Sequence, residues 1–121
     1  MKFNHVTLSV RDLEASLKFY QEIVGLEITR RFPSGPDTEI IFVGSGDTEV
    51  ELICHKNADH SAVTPGNGIS MGFLSPSIED TIKLLREKGY ETDGVIISPN
   101  PKTRFFFAID PDGYRVQFVQ A

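Results

Sequence analysis

Two side chains in the first half of this chain, His5 and Glu51, could hold a metal ion or pass a proton. Each has a twin in the second half, and the twin is weaker: Ser70 stands for His5 and Gln117 for Glu51. Imidazole and carboxylate suit Zn²⁺, Ni²⁺ or Fe²⁺, whereas a neutral hydroxyl and a neutral amide neither offset the ion's charge nor bind it strongly. Glu51 can act as a general base, and Gln117 cannot at any pH. A carboxylate in mid-strand between Val50 and Leu52 is costly to bury unless it is paired, used or opened to water. Ser70 and Gln117 are better suited to hydrogen-bonding an organic ligand. Arg104 is a candidate clamp for an anionic group, with an ordinary surface arginine as the alternative. In the run Phe105-Phe106-Phe107, alternation sets Phe106 on the opposite face from its neighbours and makes it a candidate cavity wall. His55 shares a strand face with Glu51 but lies four residues away, roughly 13 Å along an extended chain, and reads as a strand-end residue.

The twins follow from an internal repeat. Residues 3 to 55 align with residues 68 to 121 at an offset of 65, which is 64 at Gly25 and Gly89, where one residue drops out, and 66 at Glu51 and Gln117. Leu13, Leu17 and Tyr20 fall on Ile78, Ile82 and Leu85, the i, i+4, i+7 stripe of an amphipathic helix. Glu14, Lys18 and Glu22 fall on Glu79, Lys83 and Glu87 as the solvated side. Asp12 and Ser77 stand at the N-cap positions, and Gly25 and Gly89 at the stops.

Around each helix the period changes to two. Val6, Leu8 and Val10 should pack under the first helix while His5, Thr7 and Ser9 face away, and Ile69, Met71 and Phe73 should repeat this with Ser70 opposed. Strands are expected at 40–43, 49–55, 105–109 and 115–120, with turns at 44–47 and 110–113. Proline-bearing segments Arg31 to Asp37 and Ser98 to Lys102 read as matched long loops. The expected architecture is α+β, two tandem βαβββ modules in a single domain over 1–121. Module one covers 1–55, a linker 56–68 that holds His60, and module two 69–121.

A chain of 121 residues can bury roughly two-thirds of its unfolded surface and needs no disulfide to fold. Its one cysteine, Cys54, sits on the Val50 and Leu52 side of its strand and reads as an inert buried thiol. A net charge of -5, with acids and bases interspersed, argues against nucleic acid as the main partner. The sequence shows no long apolar run and no charged-then-apolar leader, so neither a membrane span nor a secretion signal is expected, and the location expected is cytoplasmic.

The run from His5 to Tyr20, HVTLSVRDLEASLKFY, then Gly25-Leu26 and Asp110 to Gln117, DPDGYRVQ, resembles the vicinal oxygen chelate superfamily, the glyoxalase and bleomycin-resistance group. The resemblance covers essentially the whole chain and is specific for fold rather than activity. It implies paired βαβββ modules that form a cupped sheet around a ligand, and a homodimer whose sites often combine modules of two chains. It further implies a divalent metal held by a first-strand histidine and a last-strand carboxylate of each module, here His5, Glu51, Ser70 and Gln117. An extradiol dioxygenase would need two histidines and a glutamate at His5, Ser70 and Gln117, and only His5 fits.

The function expected is a glyoxalase-like protein binding a small organic molecule in the cup, with a degenerate metal site. His5 and Glu51 are its surviving polar pair, and Ser70, Arg104 and Phe106 are the expected ligand contacts. The alternative is a lactoylglutathione lyase-type lyase or isomerase with Glu51 as base and Ni²⁺ or Zn²⁺ weakly held by His5, Glu51 and Gln117. A protein-contact module is the third reading.

Overall fold

In the computed structural model, residues 1–60 and 63–121 are described, which leaves Ser61 and Ala62 of the expected linker outside. The chain forms two compact units, Met1–Thr64 and Pro65–Ala121. The first runs β1 (His5–Ser9), α1 (Leu13–Glu22), β2 (Glu27–Pro33), β3 (Thr38–Gly44), β4 (Glu49–His55). The second runs β5 (Met71–Ser75), α2 (Ile78–Glu87), β6 (Ile97–Asn100), β7 (Thr103–Ile109), β8 (Arg115–Gln120). Their sheets have the orders β1-β4-β3-β2 and β5-β8-β7-β6, with the first pair parallel and the rest antiparallel. This is the tandem βαβββ arrangement of the α+β class.

Both helices start where a side chain replaces the missing backbone acceptor. Asp12 Oδ1 accepts from the Ala15 amide at 3.1 Å and Ser77 Oγ from the Asp80 amide at 3.2 Å. Both stop at a glycine in the left-handed region, Gly25 at φ 83 and Gly89 at φ 80. The last turn of α1 is one residue longer: the Leu26 amide reaches back six residues to Tyr20 O, whereas the Tyr90 amide reaches back five to Leu85 O. That extra residue is the one the second half lacks.

Leu13, Leu17 and Tyr20 are buried on α1, and Ile78, Ile82 and Leu85 on α2. They cover the strand face carrying Leu8, Val10, Val50, Leu52 and Cys54 in one unit, and Val116, Phe118, Phe106 and Ala108 in the other, all under 9% exposed. The opposite face of each sheet holds His5 and Glu51, or Gln117. The Cys54 thiol donates to Arg11 O at 3.6 Å inside the core.

Three expectations change. The segment 31–37 is not all loop, because β2 continues through Pro33 and leaves only 34–37 as the turn; Ser98 to Asn100 likewise belong to β6. Both are edge strands, where a proline without an N–H leaves no neighbour unpaired. Ile69, expected inside, is 75% exposed ahead of β5, so only Met71 and Phe73 turn toward the helix.

Candidate functional site

Strand register draws a line of side chains across the open face of the first sheet. Thr7 lies opposite Glu51, Glu51 opposite Phe42, and Phe42 opposite Arg30. Thr7 Oγ1 donates to Glu51 Oε1 at 2.5 Å, and His5 Nε2 stands 3.8 Å from the same oxygen. The Glu51 side chain is 15% exposed and that of His5 34%. The pair is therefore part-buried yet open to a ligand.

Asn4 Nδ2 lies 2.8 Å from His5 Nδ1. An amide N–H donated there makes Nδ1 the acceptor and leaves the ring proton on Nε2, facing Glu51. The imidazole edge packs against Phe42 at 5.4 Å, an arrangement in which hydrogens meet the electron-rich ring. On the other side of Phe42, the Arg30 guanidinium sits 3.9 Å above the ring and Phe32 stacks at 6.2 Å. Glu49 accepts a hydrogen bond from Thr29 and lies 3.9 Å from Arg30. A register shift between Ile28 and Arg30 accompanies this cluster.

In the second unit the corresponding line is Gly72, Gln117 and Phe107. Gly72 takes the place of Thr7, and a Cβ there would meet Gln117 Oε1 at 3.4 Å, so the amide lies over the glycine with no hydroxyl beneath it. Arg115 caps Phe107 at 3.7 Å, as Arg30 caps Phe42. Ser70 is exposed just before β5.

Two expected ligand contacts are placed elsewhere. Phe106 is fully buried and stacked on Phe118 at 5.2 Å, because the face it occupies is the one α2 covers. The aromatics on the Gln117 face are Phe105 and Phe107. Arg104 has the same parity as Phe106 and pairs with Glu79 of α2, holding that carboxylate below its ordinary pKa through the hydrogen bond. His55 bonds Thr38 at 2.9 Å, and His60 Nε2 lies 2.8 Å from His55 O, so neither approaches Glu51 as a ligand.

Sequence reasoning missed Phe42, Arg30 and Glu49. Thr7 was within reach, since it shares the parity of His5. Arg30 and Phe42 required the β2–β3 register, which alternation alone does not supply.

The family model of the Glyoxalase/Bleomycin resistance protein/Dioxygenase superfamily matches residues 2–118. The chain belongs to this superfamily. Among superfamily relatives, a lactoylglutathione lyase of Neisseria meningitidis serogroup A is 29% identical, over 99% of this chain and 91% of its own length. A Synechocystis protein named probable lactoylglutathione lyase is 33% identical over 96% and 92%. Of the solved structures, a Zea mays glyoxalase I variant superposes with TM-score 0.83 at 22% identity, covering 99% of this chain and 44% of the maize chain. TnmS3, an antibiotic binding protein from a Streptomyces species, superposes with TM-score 0.77 at 22% identity, over 99% and 95%. These superpositions establish the glyoxalase fold.

The residues expected to hold a divalent ion, His5, Glu51, Ser70 and Gln117, make a donor set that fits such an ion poorly. Two of the four are neutral oxygen donors, and Glu51 already accepts from Thr7. Ligation through Nε2 would move the ring proton to Nδ1 and require the Asn4 amide to turn its oxygen toward it. Among the described residues no group of three or more His, Cys, Asp or Glu side chains could hold a metal.

Proposed function

We propose that this glyoxalase-like protein binds a small organic molecule in the cup its βαβββ modules form, as a cytoplasmic homodimer, and holds no tight metal. The observation that supports this reading is the His5–Glu51 pair: a carboxylate and an Nε2–H donor, part-buried at 3.8 Å, beside Phe42 and its Arg30 cap. Together they offer an acceptor, a donor and a cation set over the buried Phe42 ring, a few polar anchors on apolar surroundings of the kind typical of ligand sites. Gln117 and Ser70 complete the lining as neutral hydrogen-bonding groups. No described helix is long and apolar enough to cross a membrane.

A second reading is favoured by the lyase names of relatives at 29% and 33% identity. In it the protein is a lactoylglutathione lyase-type isomerase, with Glu51 moving the proton and a divalent ion weakly held. The two readings separate by metal analysis of protein purified without chelator, then titration of wild type and His5→Ala with Ni²⁺ and Zn²⁺. The binder predicts substoichiometric metal, weak uptake and no turnover of the methylglyoxal–thiol adduct. Stoichiometric uptake abolished by His5→Ala, with turnover lost in Glu51→Gln, would replace it with the lyase.

A further inference from the structure

One bulge decides which face of β2 carries Arg30. Ile28 pairs with Val43 on the helix-covered side, and Arg30 pairs with Phe42 on the open side. Regular alternation would put residues 28 and 30 on the same face, so the extra residue, Thr29, is what turns the arginine toward His5 and Glu51. Thr29 donates to Glu49 and so ties the bulge to β4. The second unit reaches the same end by another route. There the chain leaves β7 between the Glu91–Ile109 bridge and the Ile97–Phe105 pair, no β6 residue is paired with Phe107, and Arg115 of β8 lies on that ring instead. Position 115 is the twin of Glu49 and not of Arg30. A guanidinium on the open-face phenylalanine is therefore not a relic of the duplication, because each half arrives at it separately.

The cap offers a ligand a flat surface. The Arg30 guanidinium lies over the Phe42 ring, 3.9 Å from its centre, and the side chain is 54% exposed, so its outer side is open. A guanidinium is planar and weakly hydrated, and it stacks on aromatic faces. Glu49 stands 3.9 Å from it and Glu51 adds a second carboxylate, so the local charge does not favour an anion. Exposed Phe32 continues the apolar surface. The polar pair beside the cap calls for one group that both accepts and donates. His5 Nε2–H and Glu51 Oε1 are 3.8 Å apart, too far to bond each other, and a single oxygen about 2.8 Å from each fits between them. A hydroxyl satisfies both, whereas a carbonyl or an ammonium satisfies one. Glu51 and Phe42 stand on neighbouring strands, about 4.8 Å apart, which sets the hydroxyl and the stacked body at the spacing found in a fused aromatic alcohol.

We infer that the His5–Glu51 face takes a neutral, flat aromatic alcohol of naphthol size, its hydroxyl bridging His5 and Glu51 and its rings stacked on the Arg30 guanidinium. The inference rests on the binder reading and names the class of molecule which that reading leaves open.

Nitrogen-15 NMR titration of the full, metal-free chain with 2-naphthol tests this. Decahydro-2-naphthol, which keeps the hydroxyl on a body that is not flat, and quinoline, which is flat and accepts but cannot donate, are the comparison probes. 2-Naphthol should move the amide signals of Thr7, Phe42 and Glu51 with a dissociation constant on the order of 1 mM or tighter, and move the Arg30 Nε–H signal upfield as a second ring covers it. Each comparison probe should bind at least about threefold more weakly. Arg30→Lys keeps the charge and removes the plane. It should weaken 2-naphthol and quinoline by at least about threefold and leave decahydro-2-naphthol unchanged. Arg104→Gln removes an arginine from the helix-covered side and should alter none of the three. Absent binding of 2-naphthol, equal binding of the flat and saturated alcohols, an unmoved Arg30 signal, or full 2-naphthol affinity in Arg30→Lys each overturns the inference and leaves the binder reading standing. Stoichiometric Ni²⁺ uptake by wild type overturns that reading instead, and the probes, read on metal-free protein, report separately from it.

Discussion

Thr7 contributes to the candidate site through one hydroxyl, and the twin sheet shows what its loss would leave. There the position is Gly72, and the residue above it is a neutral amide rather than a carboxylate. A part-buried carboxylate that loses its donor keeps its desolvation cost. Thr7→Val should therefore lower stability by about 1 kcal/mol in urea unfolding, and Thr7→Ser should restore most of it. Equal midpoints for wild type and Thr7→Val would show that water replaces the hydroxyl at no cost. Phe106 and Phe107 provide a second test at this scale. Phe106, fully buried, should cost about 3–5 kcal/mol on substitution by Ala, as large aromatic-to-alanine changes in cores do. Phe107, half-exposed on the open face, should cost clearly less while weakening ligand binding.

Among the secondary-structure elements, ion pairs join the helices to their sheets. Arg31 of β2 bonds Glu14 of α1 at 2.6 Å and Glu39 of β3 at 2.7 Å, and Arg104 of β7 bonds Glu79 of α2. The hydrogen bond from Arg31 holds Glu39 below the ordinary carboxylate pKa, as Arg104 does for Glu79. A depressed pKa in the folded state means that these carboxylates stabilise the fold above the unfolded-state value, about 4.3 for glutamate. That contribution disappears as pH falls through the lower folded-state values. The drop in melting temperature between pH 6 and pH 3 should be larger for wild type than for the Glu39→Gln, Glu79→Gln double variant, and smaller in high salt, since both pairs are solvent-exposed. Identical acid profiles would remove these pairs from the account.

The duplicated chain carries two copies of one architecture with unequal chemistry. If the proposed cup brings the two open faces to one ligand in the working assembly, the weak half can be restored. Ser70→His with Gln117→Glu would supply two strong ligands to match His5 and Glu51, and should raise Ni²⁺ or Zn²⁺ affinity by at least about tenfold, or about 1.4 kcal/mol. Calorimetric titration of the double variant and each single variant measures this, with the gain exceeding the sum of the singles. A double variant that binds no better than wild type means that the twins do not serve one site. Light scattering coupled to size exclusion reads the accompanying expectation of a homodimer.

Periodicity and duplication were sufficient to read the βαβββ repeat, both helix caps and both glycine stops, because each depends on contacts only a few residues apart. They also placed His5 and Glu51 on one open face, since alternation along a strand is local. What alternation leaves undetermined is which of its two faces the helix covers, and on β7 that choice put Phe106 in the core and Phe105 and Phe107 outside. Register between strands is likewise a long-range property, set by packing and turn length rather than by any one segment. Only the folded sheets could therefore seat Thr7 on Glu51, set Phe42 between His5 and Arg30, turn Arg104 to Glu79, and open the gap beside Phe107.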